Sequence, residues 1–198
     1  MQTIVRVSMD SMFDITLLGA ESVRPLKRIE FERLVALGVF EDEKVELLHG
    51  FLVRMSPQGE EHSKSITRLS KILGRALGDR ADVASHSPFA AGDDSEPEPD
   101  LAVVPPIDSA RGHPAQAFLL VEASDSSLLK DRKIKAPLYA ASGVPEYWIL
   151  DLDARSVEVF RDPTPTGYRS VQRVGPAERI TLAAFPDVTV MVAAIFGG

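Results

Sequence analysis

The sequence predicts an α/β fold in which helices flank a central mixed sheet, and three observations carry that expectation. Two short, wholly apolar runs, DLAVVP (100–105) and AFLLVEAS (117–124), have the composition of strands buried on both faces. A long amphipathic segment over 59–78 has its leucines at helical spacing. Finally, EYWILD, SVEVFR and YRSVQRV alternate as strands around the turn-rich DPTPTG.

Taken in order, residues 1–24 show no clear period and read as a lead-in or edge strand before a single domain over 25–198. A first helix is predicted over 27–38, with Leu26, Ile29, Leu34 and Leu37 roughly on one face and Gly38 ending it. VELLHGFLVRMSP reads as a hairpin turning at His49-Gly50. In the helix over 59–78, Ile66, Leu69, Leu73, Ala76 and Leu77 share one side, and Lys64, Arg68, Lys71 and Arg75 form a stripe on the other. GDDSEPEP is an acidic, proline-broken loop. SSLLKDRKIKAPLYAASG looks helical, capped by Ser126 or Asp125 and stopped at Gly143. Pro137 inside it must kink the helix or start a fresh turn, with Ala136 pushed off helical angles.

Composition narrows the function classes. There are no cysteines, so disulfides and thiolate metal sites are excluded, which fits a cytoplasmic protein. No basic region followed by a long apolar core opens the chain, and its apolar tracts are shorter than the roughly 18 residues of a membrane span. The net charge of −7 argues against a general nucleic-acid coat, so contact with a polyanion needs a local basic patch or a bound cation.

Two acids stand out. Asp100 opens one apolar strand and Glu122 sits near the end of the next; antiparallel pairing would bring both carboxylates to one sheet edge. Hard cations such as Mg²⁺ take oxygen ligands, and an acid inside a buried strand is costly unless it is paired or metal-bound. The competing reading leaves both acids flanking strands in solvent.

PDLAVV, LLVEAS and DRKIKAPLYAASGVPEYWILD together resemble the Uma-two family of candidate restriction endonucleases, within the PD-(D/E)XK nuclease superfamily. VELLHGFLVRMSP and EEHSKSITRLSKIL resemble its N-terminal half, so the likeness spans roughly 27–196. It implies a restriction-endonuclease-like fold and DNA as substrate, with a homodimer as an allowed assembly. It also implies Asp100 and Glu122 as metal carboxylates for Mg²⁺, with Mn²⁺ as the alternative, and Glu46 as an acid completing the shell. The superfamily often carries lysine two residues after the second acid; here that position is Ser124, and the pattern K-x-x-x-Y assigns the lysine to Lys135, ahead of Lys133 and Lys130, as the assisting base that orients or deprotonates the attacking water. His62 becomes a contact for phosphate or for the carboxylates, and the Lys64–Arg75 stripe a candidate DNA patch. Tyr147 and Trp148 are expected in the core. The expected activity is Mg²⁺-dependent cleavage of DNA phosphodiesters; the alternative is a non-catalytic nucleic-acid-binding protein that retains the nuclease fold.

Overall fold

The computed structural model describes residues 24–106 and 112–197. The predicted lead-in lies outside them, apart from Arg24. A six-stranded sheet forms the centre, in the order β3 (Asp82–Ser85), β4 (Leu101–Val104), β5 (Leu119–Ser124), β6 (Glu146–Asp151), β7 (Ser156–Thr164) and β8 (Gly167–Val174). Only β5 and β6 run parallel; every other neighbouring pair is antiparallel. The sheet is therefore mixed, as expected.

The apolar runs are apolar because both faces are covered. On one face Leu101, Val103, Leu119, Val121, Trp148 and Leu150 pack under α2 (Glu60–Leu77), with Ile66, Leu69, Leu73 and Leu77 pointing down. The C-terminal hairpin, β9 (Arg179–Thr181) with β10 (Thr189–Met191), and α5 (Val192–Phe196) close the same face. On the other face Ala102, Val104, Leu120, Tyr147 and Ile149 meet Leu138 and Tyr139 of α4 (Ala136–Ala141). Tyr147 and Trp148 are fully buried, as core residues. Ala76 is exposed, so the apolar side of α2 is narrower than its sequence suggests.

The hairpin of β1 (Val45–Leu48) and β2 (Phe51–Arg54) turns at His49 and Gly50, both at positive φ, the geometry of a tight two-residue turn. It joins the main body through an antiparallel bridge from Leu47 to Glu96. The acidic loop is anchored by that bridge: Ser95, Glu96 and Pro97 are buried, because the segment docks on β1. The first helix, α1 (Arg28–Ala36), buries Phe31, while Ile29 and Leu37 are exposed. Its contact face is therefore set by an aromatic residue that the leucine spacing did not mark.

The crossover from β5 to β6 begins with α3 (Leu128–Lys130), passes through a π-helical turn over Asp131–Lys135, and continues as α4. The Ala136 amide bonds the Asp131 carbonyl, five residues back. This widened turn removes the clash that Pro137 would make with a carbonyl four residues behind it. Ala136 accordingly keeps helical angles, φ −60° and ψ −48°, against the expectation for a residue before proline.

Candidate functional site

The register of β4 and β5 pairs Leu101 with Val121, and carrying it one residue further sets Asp100 opposite Glu122. The pleat alternates sides, so Glu122 shares a face with Leu120 and Ser124. Both acids are buried, and both line one cavity of about 60 Å³ together with Glu46, His62, Lys130 and Lys135.

Lys135 enters from the π-helical turn. Its Nζ donates to Glu122 Oε1 at 2.8 Å and lies 3.0 Å from Glu46 Oε2. Lys130 Nζ sits 3.0 Å from the other Glu46 oxygen, and Lys133 faces solvent. The widened turn is what puts Asp131 and Lys135 inside while Ile134 points out. Tyr139 OH donates to the same Glu122 oxygen at 2.9 Å. Ser124, two residues after Glu122, is within 2.8 Å of the Ser127 hydroxyl, which donates to Asp131 Oδ2 at 2.7 Å.

Asp100 is held from several sides. Its Oδ2 accepts from the Ala123 amide at 2.8 Å and lies 2.9 Å from His62 Nε2. Its Oδ1 accepts from Gln58 Nε2 at 3.2 Å, and His86 Nδ1 lies 3.6 Å away. Gln58 and His86 carried no sequence signal, since both reach Asp100 only through the paths of loops. Asp131 did lie within the D-R-x-x-K string, without a role assigned to it.

Burial pushes the Glu122 carboxyl well above its ordinary range; Lys135 opposes this, and Asp100, Asp131 and Glu46 reinforce it. Burial also raises Asp131, against its bond from Ser127. For Lys135, burial favours the neutral amine, but Glu122 and Glu46 outweigh it and hold the group cationic, above the usual lysine range. Four buried acidic side chains (Glu46, Asp100, Glu122 and Asp131) thus face two lysines, Lys130 and Lys135. Acidic side chains outnumber lysines by two at this site, an excess that a divalent cation would offset. The donors are oxygens on opposed strands, which suits a hard ion such as Mg²⁺.

The basic stripe is less uniform than its spacing suggests. Lys64, Lys71 and Arg75 are exposed, but Lys64 pairs with Glu60 at 2.7 Å and Glu61 at 3.1 Å. Arg68 is half-buried against the backbone at Gly197 and is the least available of the four.

A family profile described as Uma2, "Putative restriction endonuclease", matches residues 29–193. Among solved structures, a protein from Anabaena variabilis described as a "putative nuclease belonging to DUF820" shares the fold with a TM-score of 0.68. It is 17% identical, and the superposition covers 87% of this chain and 98% of that one. No curated protein matches the sequence. Among the described residues, no helix is long and apolar enough to cross a membrane.

Proposed function

Because the chain belongs to the Uma2 family of nuclease-like proteins, we propose that it is a metal-dependent endonuclease acting on DNA, with residues 25–198 as a single domain carrying one PD-(D/E)XK-type site. The observation that carries this reading is the convergence of Asp100, Glu122 and Lys135 on one cavity, where four buried acidic side chains meet two lysines. Asp100 and Glu122 would hold Mg²⁺, or Mn²⁺ in its place, and Glu46, 3.0 Å from the Lys135 amine, would complete the shell. The bound ion would polarise a phosphodiester and make a nearby water more acidic.

The chain's own groups supply the rest. Lys135 is held as a cation, so it offsets negative charge developing on the phosphate and orients the attacking water by donating a hydrogen bond. As long as both glutamates hold it charged, it has no lone pair with which to take a proton. Tyr139 fixes Glu122 from beneath, and the Ala123 amide with His62 fixes Asp100, so neither carboxylate is free to rotate.

The test is cleavage of supercoiled plasmid with Mg²⁺, with Mn²⁺ and with chelator. Wild type should cut only with a divalent ion. Glu122→Ala should lose ion binding and cleavage together, Lys135→Ala should fall by about 100-fold, and Lys133→Ala should keep most activity. A wild type that binds DNA and never cuts with either ion would favour the non-catalytic alternative.

A further inference from the structure

A second group of ligand atoms lies outside this cavity. Glu32 on α1, Glu96 in the loop docked on β1, and His113 just beyond residues 107–111 bring one ligand atom each to within 4.8 Å of one another. Glu96 is buried, with 4% exposure, and its Oε2 makes no hydrogen bond. That oxygen points at His113, whose Nδ1 is 3.3 Å away, and burial leaves the Glu96 carboxyl raised despite this neighbour. A buried carboxylate oxygen without a hydrogen bond is costly and rare in a settled fold. The cation now nearest is Arg28, which pairs with Glu32 but stands 3.8 Å from Glu96 Oε2 while its Nε donates to the Gly92 carbonyl.

We propose that Glu32, Glu96 and His113 form a second metal site, built for a first-row divalent ion of the Zn²⁺ type. Two carboxylates and an imidazole suit such an ion, whereas Mg²⁺ and Ca²⁺ take oxygen ligands. Glu32 is half-buried and His113 exposed, so the site is closed on the protein side by Glu96 and open on the other, leaving a position for water. An ion here would tie α1 and the His113 segment to the loop that pairs with β1. Glu46 is the β1 residue adjacent to Leu47, the bridge partner of Glu96, and its Oε2 accepts weakly from the Glu98 amide at 3.4 Å. The ion would thereby stiffen the strand that presents Glu46 to the cavity.

The experiment is equilibrium Zn²⁺ titration of the full chain, with Co²⁺ absorption as a second probe. Glu122→Gln serves as the background that weakens the first site. This background should still bind one equivalent of Zn²⁺, and adding His113→Ala should weaken that binding at least roughly tenfold and abolish the Co²⁺ d–d bands. Glu96→Gln should do the same. Arg28→Gln removes the competing cation and should tighten Zn²⁺ by roughly tenfold or more. Because His113 is exposed, its replacement leaves the core intact, and circular dichroism confirms folding. Absence of a Zn²⁺ equivalent in the Glu122→Gln background, or binding indifferent to His113→Ala, would overturn the inference. A plasmid assay without cleavage alongside His113-dependent Zn²⁺ binding would overturn only the nuclease reading.

Discussion

Lys135 is the residue on which the charges of the cavity balance. It is the direct partner of both Glu122 and Glu46, and it is almost wholly buried. Removing one member of a buried ionic group leaves the others uncompensated, typically at about 3–5 kcal/mol. Lys135→Ala should therefore melt well below wild type in chelator. Saturating Mg²⁺ should raise its Tm by more than it raises that of wild type, since the added ion replaces a missing counter-charge. Equal Mg²⁺ shifts in the two proteins would show that the ion does not meet these glutamates. Lys135 was singled out by the likeness of its K-x-x-x-Y pattern to the family's, and Asp100 and Glu122 also because they open or interrupt apolar runs. Gln58 and His86 were not legible. They meet Asp100 across 42 and 14 positions of chain, and nothing local in either residue's surroundings encodes that meeting.

Among the elements, the β1–β2 hairpin is the one most exposed to a single substitution. Gly50 has φ +79°, and a Cβ placed there would stand 2.2 Å from Pro25 Cβ and 2.9 Å from Pro25 Cα. Gly50→Ala thus combines backbone strain with a collision against the segment leading into α1, and should cost about 1–3 kcal/mol. A lower urea midpoint, with reduced cleavage because Glu46 rides on the same hairpin, is the expected result; an unchanged midpoint would mean that the turn relaxes freely. This hairpin, strands β4 to β8 and α2 were readable because turn chemistry and hydrophobic period are local properties, whereas the short β3, β9 and β10 carry too few residues to show a period. The π-helical turn was not, since a proline within a helical pattern is compatible with a kink, a break or a widened turn. What selects the widened turn here is the joint burial of Asp131 and Lys135 against the acids below.

For the molecule as a whole, an acidic protein that engages DNA must do so through a small number of basic side chains. Lys71 and Arg75 remain exposed, whereas Glu60 and Glu61 already engage Lys64 and the C-terminal end half-covers Arg68. Replacing Lys71 and Arg75 together should reduce the log–log salt slope of duplex binding by up to about 1.8, near 0.9 for each phosphate that is no longer neutralised. Replacing Arg68 should instead lower thermal stability and leave the slope almost unchanged. A slope unaffected by the double replacement would make the stripe an ordinary solvated face.

The single parallel strand pair also sets an order of events in folding. Parallel neighbours need a crossover, and this crossover carries Lys135 and Tyr139, which reach Glu122 across only 13 and 17 positions. Glu46 joins them through Lys130 across 84. Short loops close at lower entropic cost, so the β5–crossover–β6 segment can assemble with its lysine and tyrosine before the hairpin docks. Ile149→Val, in the centre of that segment, should then slow refolding. Leu48→Ala, in the hairpin, should chiefly accelerate unfolding, and chevron plots separate the two effects. The buried lysine would meet its first acid early in folding and its second only as the chain completes itself.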